Sequence, residues 1–339
     1  MRALPILKDP TFPTSQAKAT GRADPRSVRL SLTDRCDLAC VYCRPDKQDG
    51  YFETTLELTA FETLLRGLAE GGVRRVRITG GEPLLSPIVV DAVRVIRDLG
   101  FEDVALTTNA TRLARLAQPL KDAGLQRINV SLDTLSAERF ARITRGGRLT
   151  TVLDGIAVSG EVGFLERKLN VVVVRGENDD ELEDLVHFAW KNAMTPRFLE
   201  IMAIGEGAKM QGSIVPYAEQ RERLRALLEP DDGKVDPDRG PARYVRSRED
   251  PRRRVGFITG TTETYCSGCD RLRVAADGTL RPCLAKNDGV SAAEEASRGD
   301  TSGVTARLVE AWSAKPDGDT FRGCTEPTAA DVSIRKIGG

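Results

Sequence analysis

Six short runs rich in β-branched residues alternate with amphipathic stretches between Ser27 and Met202, and this alternation limits the possible folds more than any other feature. Strands separated by helices predict parallel βαβ units. A closed barrel of eight strands needs two further units, which the sequence after Met202 does not clearly supply. We therefore predict an α/β fold with an open, six-unit partial barrel. The predicted strands are Ser27–Leu32, Arg74–Thr79, Asp103–Thr107, Gln126–Leu132, Leu169–Val174 and Pro196–Met202.

The stretches between these strands have the periodicity of amphipathic helices. Asn178 is followed by Asp179, Asp180 and Glu181. This order predicts that Asn178 caps the sixth helix, with the acids at the positive end of its dipole. The predicted helices are Leu58–Ala69, Ile88–Leu99, Leu113–Ala123, Ala137–Ile143, Thr151–Val162 and Asp180–Trp190.

Composition divides the chain into three parts. Residues 1–25 are rich in Pro, Thr, Ser and Lys without periodicity, which predicts a mobile arm. Residues 26–204 form the predicted barrel, and residues 205–339 form a C-terminal region. Within that region, residues 205–255 are charged and rich in turn signals, which indicates loops. The run Arg252–Arg254 has acidic neighbours, which favours a solvated loop or a ligand rim over a nucleic-acid patch.

The charge balance excludes several classes of partner. The 50 Lys and Arg residues equal the 50 Asp and Glu residues, so the chain has no global attraction to nucleic acid or to an anionic membrane. Fully apolar runs such as Val171–Val174 are far shorter than the roughly 18 residues of a membrane span. Residues 1–16 lack the apolar segment of a secretory signal. We therefore predict a cytoplasmic protein that binds neither nucleic acid nor membrane.

His187 is the only histidine, which excludes histidine-rich zinc sites and di-iron bundles. Its surroundings resemble a helix, and a lone histidine there is more often a residue at the edge of the core than a catalyst. The chemistry must therefore use other residue types.

Six of the seven cysteines fall in two compact triplets, which in a cytoplasmic chain indicate metal or redox sites rather than disulfides. Cys36, Cys40 and Cys43 follow the first predicted strand, at the end of the barrel where such enzymes place their chemistry. Three thiolates can hold three corners of a 4Fe–4S cluster and leave the fourth iron open to a substrate or cofactor.

Cys266, Cys269 and Cys283 form the second triplet. The alternative for both triplets is structural zinc, which usually takes four protein ligands. Each triplet is one ligand short and His187 cannot complete both, so the spacing favours two iron–sulfur sites. Cys324 is isolated, which is typical of a plain thiol.

The spacing CxxxCxxC, with Tyr42 before the last cysteine, resembles the signature of radical S-adenosylmethionine enzymes. Gly80-Gly81-Glu82-Pro83 is similar to the segment of that superfamily in which backbone groups and the Glu meet the amino group of the cofactor. Six βα units match its partial barrel. The resemblance implies that Cys36, Cys40 and Cys43 hold the cluster that binds and cleaves S-adenosylmethionine. The residues implied to contact this cofactor are Tyr42, Gly81, Ser131 and Met202.

Within the superfamily, four segments resemble the MoaA family of GTP 3',8-cyclases: Arg29–Pro45, Arg77–Leu84, Cys266–Leu284 and the terminal Ile337-Gly338-Gly339. This implies a lyase that converts GTP to (8S)-3',8-cyclo-7,8-dihydroguanosine 5'-triphosphate, in the first step of molybdenum-cofactor biosynthesis. It also implies that a 5'-deoxyadenosyl radical takes the 3' hydrogen of GTP and that the ribose radical attacks C8. Because the cofactors carry the reaction, no catalytic side chain is predicted.

The same resemblance implies that Cys266, Cys269 and Cys283 hold a second 4Fe–4S cluster, whose open iron meets the guanine of GTP. Arginine suits the bidentate binding of phosphate. Arg271 and Arg273, two residues apart on a possible strand, should point to the same face. The residues implied to contact GTP are Arg29, Arg77, Thr107, Lys168, Arg271 and Arg273, with Arg75 and Arg197 as neighbours.

The resemblance further implies partners. They are an electron donor of the flavodoxin or ferredoxin type and, downstream, cyclic pyranopterin monophosphate synthase; a homodimer is also compatible with it. The terminal Gly338-Gly339 is implied to insert into the active site, since residues without a side chain fit a narrow channel. The alternative is a frayed tail without a role.

Three positions depart clearly from the family pattern: Arg44 stands for Met, Ala110 for Gly and Asp270 for Asn. Asp37 in place of Asn is a mild change. Asp270 adds a negative charge close to the guanine or the phosphates. Two other functions therefore stay open: a paralogous radical enzyme with a different nucleotide or peptide substrate, and a non-enzymatic iron–sulfur protein. The βα units and the Gly-Gly-Glu-Pro turn argue against the second, since a simple electron carrier needs neither.

Overall fold

The computed structural model describes residues 25–44, 50–231, 240–263, 265–266, 269–316 and 333–337. Apart from residue 25, the predicted N-terminal arm lies outside the described residues, as do Cys324 and the terminal Gly338-Gly339. The hypotheses about these segments therefore stay predictions.

Eleven strands form one sheet in the part of the chain that the structure describes: β1 (Ser27–Ser31), β2 (Arg75–Thr79), β3 (Asp103–Thr108), β4 (Arg127–Ser131), β5 (Glu166–Val173), β6 (Thr195–Glu200), β7 (Arg243–Arg246), β8 (Arg254–Ile258), β9 (Arg271–Val274), β10 (Thr279–Arg281) and β11 (Val290–Ser291). Their order is β11-β10-β9-β1-β2-β3-β4-β5-β6-β8-β7. Strands β1 to β6 pair in parallel in chain order. The described edge strands β11 and β7 do not pair with each other, which confirms the open, partial barrel.

The helices between these strands begin and end within two residues of their predicted bounds. They are α1 (Leu58–Glu70), α2 (Val89–Asp98), α3 (Leu113–Asp122), α4 (Ala137–Thr144), α5 (Leu149–Val162) and α6 (Leu182–Lys191). The later helices are α7 (Tyr217–Arg223), α8 (Ala293–Ser297) and α9 (Thr301–Ser313). Within the described ranges, no helix has both the length and the apolar character that a bilayer crossing demands.

The prediction that Asn178 caps α6 is wrong. Its buried side chain accepts a hydrogen bond from the Val174 amide at 2.8 Å. Its amide group donates to the carbonyl oxygens of Asp133 (2.7 Å) and Val172 (2.9 Å). Asn178 therefore closes a turn after β5, and the helix begins only at Leu182. Three buried hydrogen bonds to the backbone stabilise the fold more than one capping hydrogen bond at the surface would.

Two strands after Met202 extend the parallel sheet. Strand β9, the possible strand that carries Arg271 and Arg273, pairs in parallel with β1. Strand β8 pairs in parallel with β6 and forms an antiparallel hairpin with β7, partly inside the stretch 205–255 that the sequence indicates as loop. In the described residues, neither β8 nor β9 is followed by a helix that completes a βα unit. The pattern of a strand followed by a helix, which identifies the first five strands, is therefore missing there.

The two faces of the parallel sheet differ in chemistry. Leu30, Ile78 and Leu106 are at most 1 % exposed and belong to the core between sheet and helices. The alternate positions, such as Arg29 and Arg77, point inward and line a cavity of about 900 Å³. Barrels of this kind usually fill their interior with branched apolar residues. The polar cavity therefore marks the candidate site.

Helix α9 packs closely on α1 because α1 has a glycine at the contact. A Cβ atom at Gly67 would lie 2.6 Å from Cβ of Val304 and 2.7 Å from the carbonyl oxygen of Thr301. The Thr305 hydroxyl donates to the Gly67 carbonyl oxygen at 2.9 Å. The C-terminal helix is thereby fixed to the barrel.

Candidate active site

The inner cavity extends along the inner face of the barrel. Cys36, Gly81 and Met202 line its upper end, beyond the C-terminal ends of β1, β2 and β6. Asp103 and Glu166 line its lower end, where β3 and β5 begin. Among the described residues, nine Arg or Lys and six Asp or Glu side chains line this cavity. The excess of enclosed positive charge favours an anionic ligand.

The first cysteine triplet lies in the loop that follows β1. All three thiols, of Cys36, Cys40 and Cys43, line the inner cavity. The loop is fixed to the end of α4, because the Ala39 amide donates to the Thr144 carbonyl oxygen (3.1 Å) and the Val41 amide donates to that of Ile143 (3.0 Å). One short, anchored loop therefore presents three thiols to the same space.

A tight turn after β2 lies against this loop, and glycine is required there. The Gly81 amide donates to the Thr33 carbonyl oxygen (2.7 Å), and the Glu82 amide donates to that of Arg35 (2.8 Å). A Cβ atom at Gly81 would lie 2.4 Å from the Arg35 carbonyl oxygen, well inside van der Waals contact. The turn and the cysteine loop therefore form one hydrogen-bonded unit at the upper end of the cavity.

Glu82 joins that unit to the end of β3. Its carboxylate accepts hydrogen bonds from the Leu84 amide (3.0 Å), the Thr108 hydroxyl (2.7 Å) and the Asn109 amide (2.7 Å). Burial raises the pKa of Glu82 to about 7, although these hydrogen bonds oppose the shift. A positively charged ligand group beside Glu82 would favour its ionised form.

Asp133, which no motif singled out, orients the cysteine loop from the end of β4. The Tyr42 hydroxyl donates to Asp133 Oδ2 (2.7 Å), and the Val172 amide donates to Oδ1 (2.8 Å). Burial raises the pKa of Asp133 to about 6, against the hydrogen bond from Tyr42. Tyr42 thus attaches the cysteine loop to the segment after β4 through its hydroxyl. The position of Asp133, directly after a predicted strand, was the available signal.

The donor chemistry of the triplets fits iron–sulfur clusters. Within the described residues, no three His, Cys, Asp or Glu side chains are placed to hold a single metal ion. A cubane cluster takes one cysteine per iron, so its ligands need not converge on one ion. Burial raises the pKa of Cys36 to about 12. This thiol therefore keeps its proton until a metal displaces it.

The departure at Ala110 has a backbone explanation. Its φ of 62° lies in the left-handed region, which costs a residue other than glycine roughly 1–2 kcal/mol. Helix α5 crosses this turn closely, since a Cβ atom at Gly155 would lie 2.7 Å from the Ala110 carbonyl oxygen. The preceding Asn109 donates its side-chain amide to Asp37 of the cysteine loop at 2.8 Å. With alanine at position 110, the hydrogen bond between Asn109 and the cysteine loop is kept, although the backbone of Ala110 is strained.

The other two departures each have a partner. Arg44 is buried, and its guanidinium lies 4.7 Å from the centre of the Tyr51 ring. Asp270 forms an ion pair with Arg75 of β2. The negative charge of Asp270 is therefore offset within the cavity wall.

Strand pairing places basic side chains side by side in the wall. Arg29 lies opposite Arg77 of β2 and Arg273 of β9 in the parallel register. Burial and nearby arginine charges lower the pKa of Arg29 to about 10 and that of Arg273 to about 9. No Asp or Glu among the described residues lies within ion-pair distance of Arg29. This unbalanced positive charge favours an anionic ligand in the middle of the cavity.

Asp103 forms ion pairs in one half of the lower end of the cavity, which is called the cavity floor below. Arg77 and Arg127 both form ion pairs with its Oδ2 atom, the second at 3.1 Å. Its Oδ1 atom and Arg127 Nε are buried without a hydrogen-bond partner in the described part of the chain. Buried polar atoms are rarely left unpaired, so polar groups of a ligand fit this floor.

Glu166 organises the other half. It pairs with Lys168 at 2.8 Å and with Arg254, the first residue of β8, at 3.3 Å. Burial and the charge of Arg197 lower the pKa of Lys168 to about 8, although Glu166 opposes the shift. Arg254 of the arginine run thus lines the inner cavity, while Arg252 is exposed. The role of the run as a ligand rim stays a prediction.

The second cysteine triplet lines a smaller cavity. Cys266, Cys269 and Cys283 share it with Arg271 and Lys315. Burial raises the pKa of Cys266 to about 11. Burial also raises that of Cys269, but the charges of Arg271 and Lys315 outweigh it and lower the pKa to about 7. The two cations therefore favour the thiolate form of Cys269.

The structure gathers the described residues that were predicted to contact ligands. The inner cavity is lined by Tyr42, Gly81, Ser131, Met202, Arg29, Arg77, Thr107, Lys168 and Arg271, and by the neighbours Arg75 and Arg197. Arg273 lines the smaller cavity instead, while Arg29 and Arg271 line both. His187 lines neither, and its side chain is 56 % exposed on α6 rather than at the edge of the core.

The sequence analysis missed further residues of the cavities, among them Arg127, Tyr265 and Lys315. Arg127 had a usable signal, since it alternates with Asn129 and Ser131 along a predicted strand. Tyr265 directly precedes Cys266 of the second triplet. Lys315 had no such signal, because it reaches the smaller cavity only through the packing of a distant segment.

Two family models match the chain. The model described as the radical SAM superfamily matches residues 30–189, which include the first triplet and the glycine turn. The model described as Molybdenum Cofactor Synthesis C matches residues 194–321, which include the second triplet.

Curated proteins and a solved structure are also similar. The GTP 3',8-cyclase of Pelotomaculum thermopropionicum is 40% identical over 300 residues, which is 86% of this chain and 91% of the relative. That of Moorella thermoacetica is 43% identical over 266 residues, 76% of this chain and 80% of the relative. The crystal structure of Streptococcus suis SuiB bound to S-adenosylmethionine has a TM-score of 0.66 at 17% identity and covers 95% of this chain and 74% of that one. At that identity, the likeness concerns the fold alone.

Proposed function

The chain belongs to the GTP 3',8-cyclase family of radical S-adenosylmethionine enzymes, and from this premise we propose that its two cavities hold S-adenosylmethionine and GTP between two 4Fe–4S clusters. The enzyme is a lyase that converts GTP to (8S)-3',8-cyclo-7,8-dihydroguanosine 5'-triphosphate, the first step of molybdenum-cofactor biosynthesis. One observation carries the assignment of sites: each triplet lines one of two cavities that share Arg29 and Arg271.

The first triplet and its surroundings form the proposed cofactor site. Cys36, Cys40 and Cys43 would hold a cluster that, with S-adenosylmethionine bound, supplies the radical chemistry. Burial raises the pKa of the Glu82 carboxyl, and the positively charged amino group of the methionine part would stabilise its ionised form. The proposed contacts with S-adenosylmethionine are Tyr42, Gly81, Ser131 and Met202, all on the inner cavity.

The basic rows deeper in the cavity form the proposed GTP site. Arg29 and Lys168 both have a lowered pKa, which means that their charged forms lack stabilisation in the free protein. A triphosphate would supply the missing negative charge through charge-assisted hydrogen bonds. The proposed contacts are Arg29, Arg77, Thr107, Lys168, Arg271 and Arg273, with Arg75 and Arg197 next to them.

The second triplet would hold the second cluster close to the guanine, through Cys266, Cys269 and Cys283. Ile334, five residues before the C-terminal Gly339, lines the inner cavity. Its position supports the proposal that the terminal Gly338-Gly339 reaches the active site.

Partners follow from the family rather than from contacts. We propose a flavodoxin or ferredoxin as electron donor and cyclic pyranopterin monophosphate synthase as the enzyme that uses the product. A homodimer is proposed on the same ground. Free thiols that must ligate iron require a reducing compartment, which supports the cytoplasm.

The side chains of the cavity would position and shield the substrate rather than transfer protons. Arg29, Arg77 and Lys168, which project from three different strands, would fix the triphosphate from several sides and so orient the ribose. The surrounding sheet limits access of water to the reacting carbon. The contact of Tyr42 with Asp133 would hold the first triplet in place during turnover.

The test is an anaerobic assay of the reconstituted protein with dithionite, S-adenosylmethionine and GTP. We expect 5'-deoxyadenosine to form in parallel with the loss of GTP. If 5'-deoxyadenosine forms while GTP survives, the substrate assignment is wrong. If neither changes although both clusters are loaded, the protein is a non-enzymatic iron–sulfur protein.

Lys168 predicts a pH dependence of GTP binding. Its pKa of about 8 lies below that of a free lysine, so its ammonium loses its proton as the pH rises through 8. The dissociation constant of GTP should therefore rise by up to about 10-fold between pH 7 and about pH 9. Equilibrium dialysis against labelled GTP measures it. Lys168→Arg keeps its charge at both pH values and should flatten the curve; an equally steep curve in that variant would exclude Lys168 as the titrating group.

A further inference from the structure

Lys315 lies just after α9 and reaches into the wall of the smaller cavity. Its ammonium donates to the carbonyl oxygens of Arg271 and Pro282, both at 2.8 Å. It lines the smaller cavity together with all three cysteines of the second triplet. No motif of the family resemblance contains this residue.

The two carbonyl groups belong to the two segments that carry the second triplet. Arg271 follows Cys269 by two residues, and Pro282 directly precedes Cys283. These segments lie at the two ends of the β9–β10 hairpin, with Arg271 and Pro282 separated by 11 positions in the chain. Lys315 is thus a bridge between the two halves of the triplet.

Contacts with helix α9 fix the position of Lys315. Its ammonium lies 5.1 Å from the centre of the Trp312 ring, and its amide donates to the Trp312 carbonyl oxygen at 3.1 Å. Trp312 belongs to α9, which packs on α1 through Thr305 and Gly67. The position of Lys315 is therefore fixed relative to the barrel.

We propose that Lys315 is a positioning residue for the second cluster: it holds the two ligand segments at their spacing and places a fixed positive charge beside the thiolates. A positive charge close to a cluster stabilises its more negative, reduced form and so raises the midpoint potential. This inference rests on the proposed second cluster, which it deepens.

The test compares Lys315→Met with Lys315→Arg in a full-length background in which Cys36, Cys40 and Cys43 are replaced by alanine. This background leaves the second cluster as the only signal in a redox titration followed by electron paramagnetic resonance. Lys315→Met should move the midpoint potential to more negative values, or lose the cluster altogether. Lys315→Arg should keep both cluster and potential. Lys121→Met is the matched control, since Lys121 also donates to a carbonyl oxygen (2.7 Å) but lines neither cavity.

The possible results distinguish the role of Lys315 from the presence of the second cluster. An unchanged potential in Lys315→Met, or an equal shift in the methionine and arginine variants, overturns the role of Lys315 alone. If the background protein with Lys315 intact binds no cluster on its second triplet, the proposed second cluster fails and the inference fails with it.

Discussion

Replacing Cys40 with alanine should abolish the formation of 5'-deoxyadenosine and leave only the background of the reagents. Cys40 is the central thiol of a loop anchored to α4, and no other described thiol outside its triplet lines the inner cavity. A cluster held by two cysteines exposes a second iron and is lost readily. Iron content should therefore fall from about eight atoms per chain to about four, because the second triplet lies in a different cavity.

Cys324→Ala is the matched control. This cysteine belongs to neither triplet, so its loss should change neither iron content nor activity. Iron determination and chromatography of the assay mixture measure both variants. Full activity in Cys40→Ala would show that the first triplet is not the site of S-adenosylmethionine cleavage. Loss of all iron would show that the two triplets do not load independently.

The barrel could be predicted from the sequence because its signals are local. Each strand from β1 to β6 carries its own alternation, and each of the first five is followed by a helix with its own periodicity. The wrong cap at Asn178 shows the limit of such signals. The acids after it are typical of a helix start, but the buried side chain instead satisfies backbone groups of β5 and of the turn after β4.

The candidate site was predicted only where residues lie in short motifs. The residues of the first cysteine triplet lie within eight positions of the chain and those of the glycine turn within four, and the two motifs meet at the upper end of the cavity. Lys315 and Asp133 could not be assigned in this way, because their roles depend on hydrogen bonds to segments more than 30 residues away. The placement of Arg273 beside Arg29 likewise depends on the pairing of β9 with β1.

Replacing Arg29 with methionine should weaken GTP binding and raise the stability of the ligand-free protein. A hydrogen bond to a charged group contributes about 1.5–3 kcal/mol, so its loss should raise the dissociation constant by about 10- to 100-fold. Removal of a buried charge that repels Arg77 and Arg273 should raise the free energy of unfolding by about 1 kcal/mol or more. Dialysis with labelled GTP and thermal unfolding of the free protein measure the two effects.

The two expected effects of Arg29→Met, weaker GTP binding and higher stability, distinguish a binding role from a structural one. A residue that merely supports the fold would lower stability and binding together, so a loss of both would show that Arg29 is structural. Arg66→Met is the matched control, because Arg66 is an exposed arginine of α1 that pairs with Glu62 and lines neither cavity. It should leave both quantities within experimental error. Cleavage of S-adenosylmethionine without GTP should also persist in Arg29→Met, since the first triplet does not depend on this side chain. Arg29 would then strengthen the binding of GTP while it lowers the stability of the ligand-free protein.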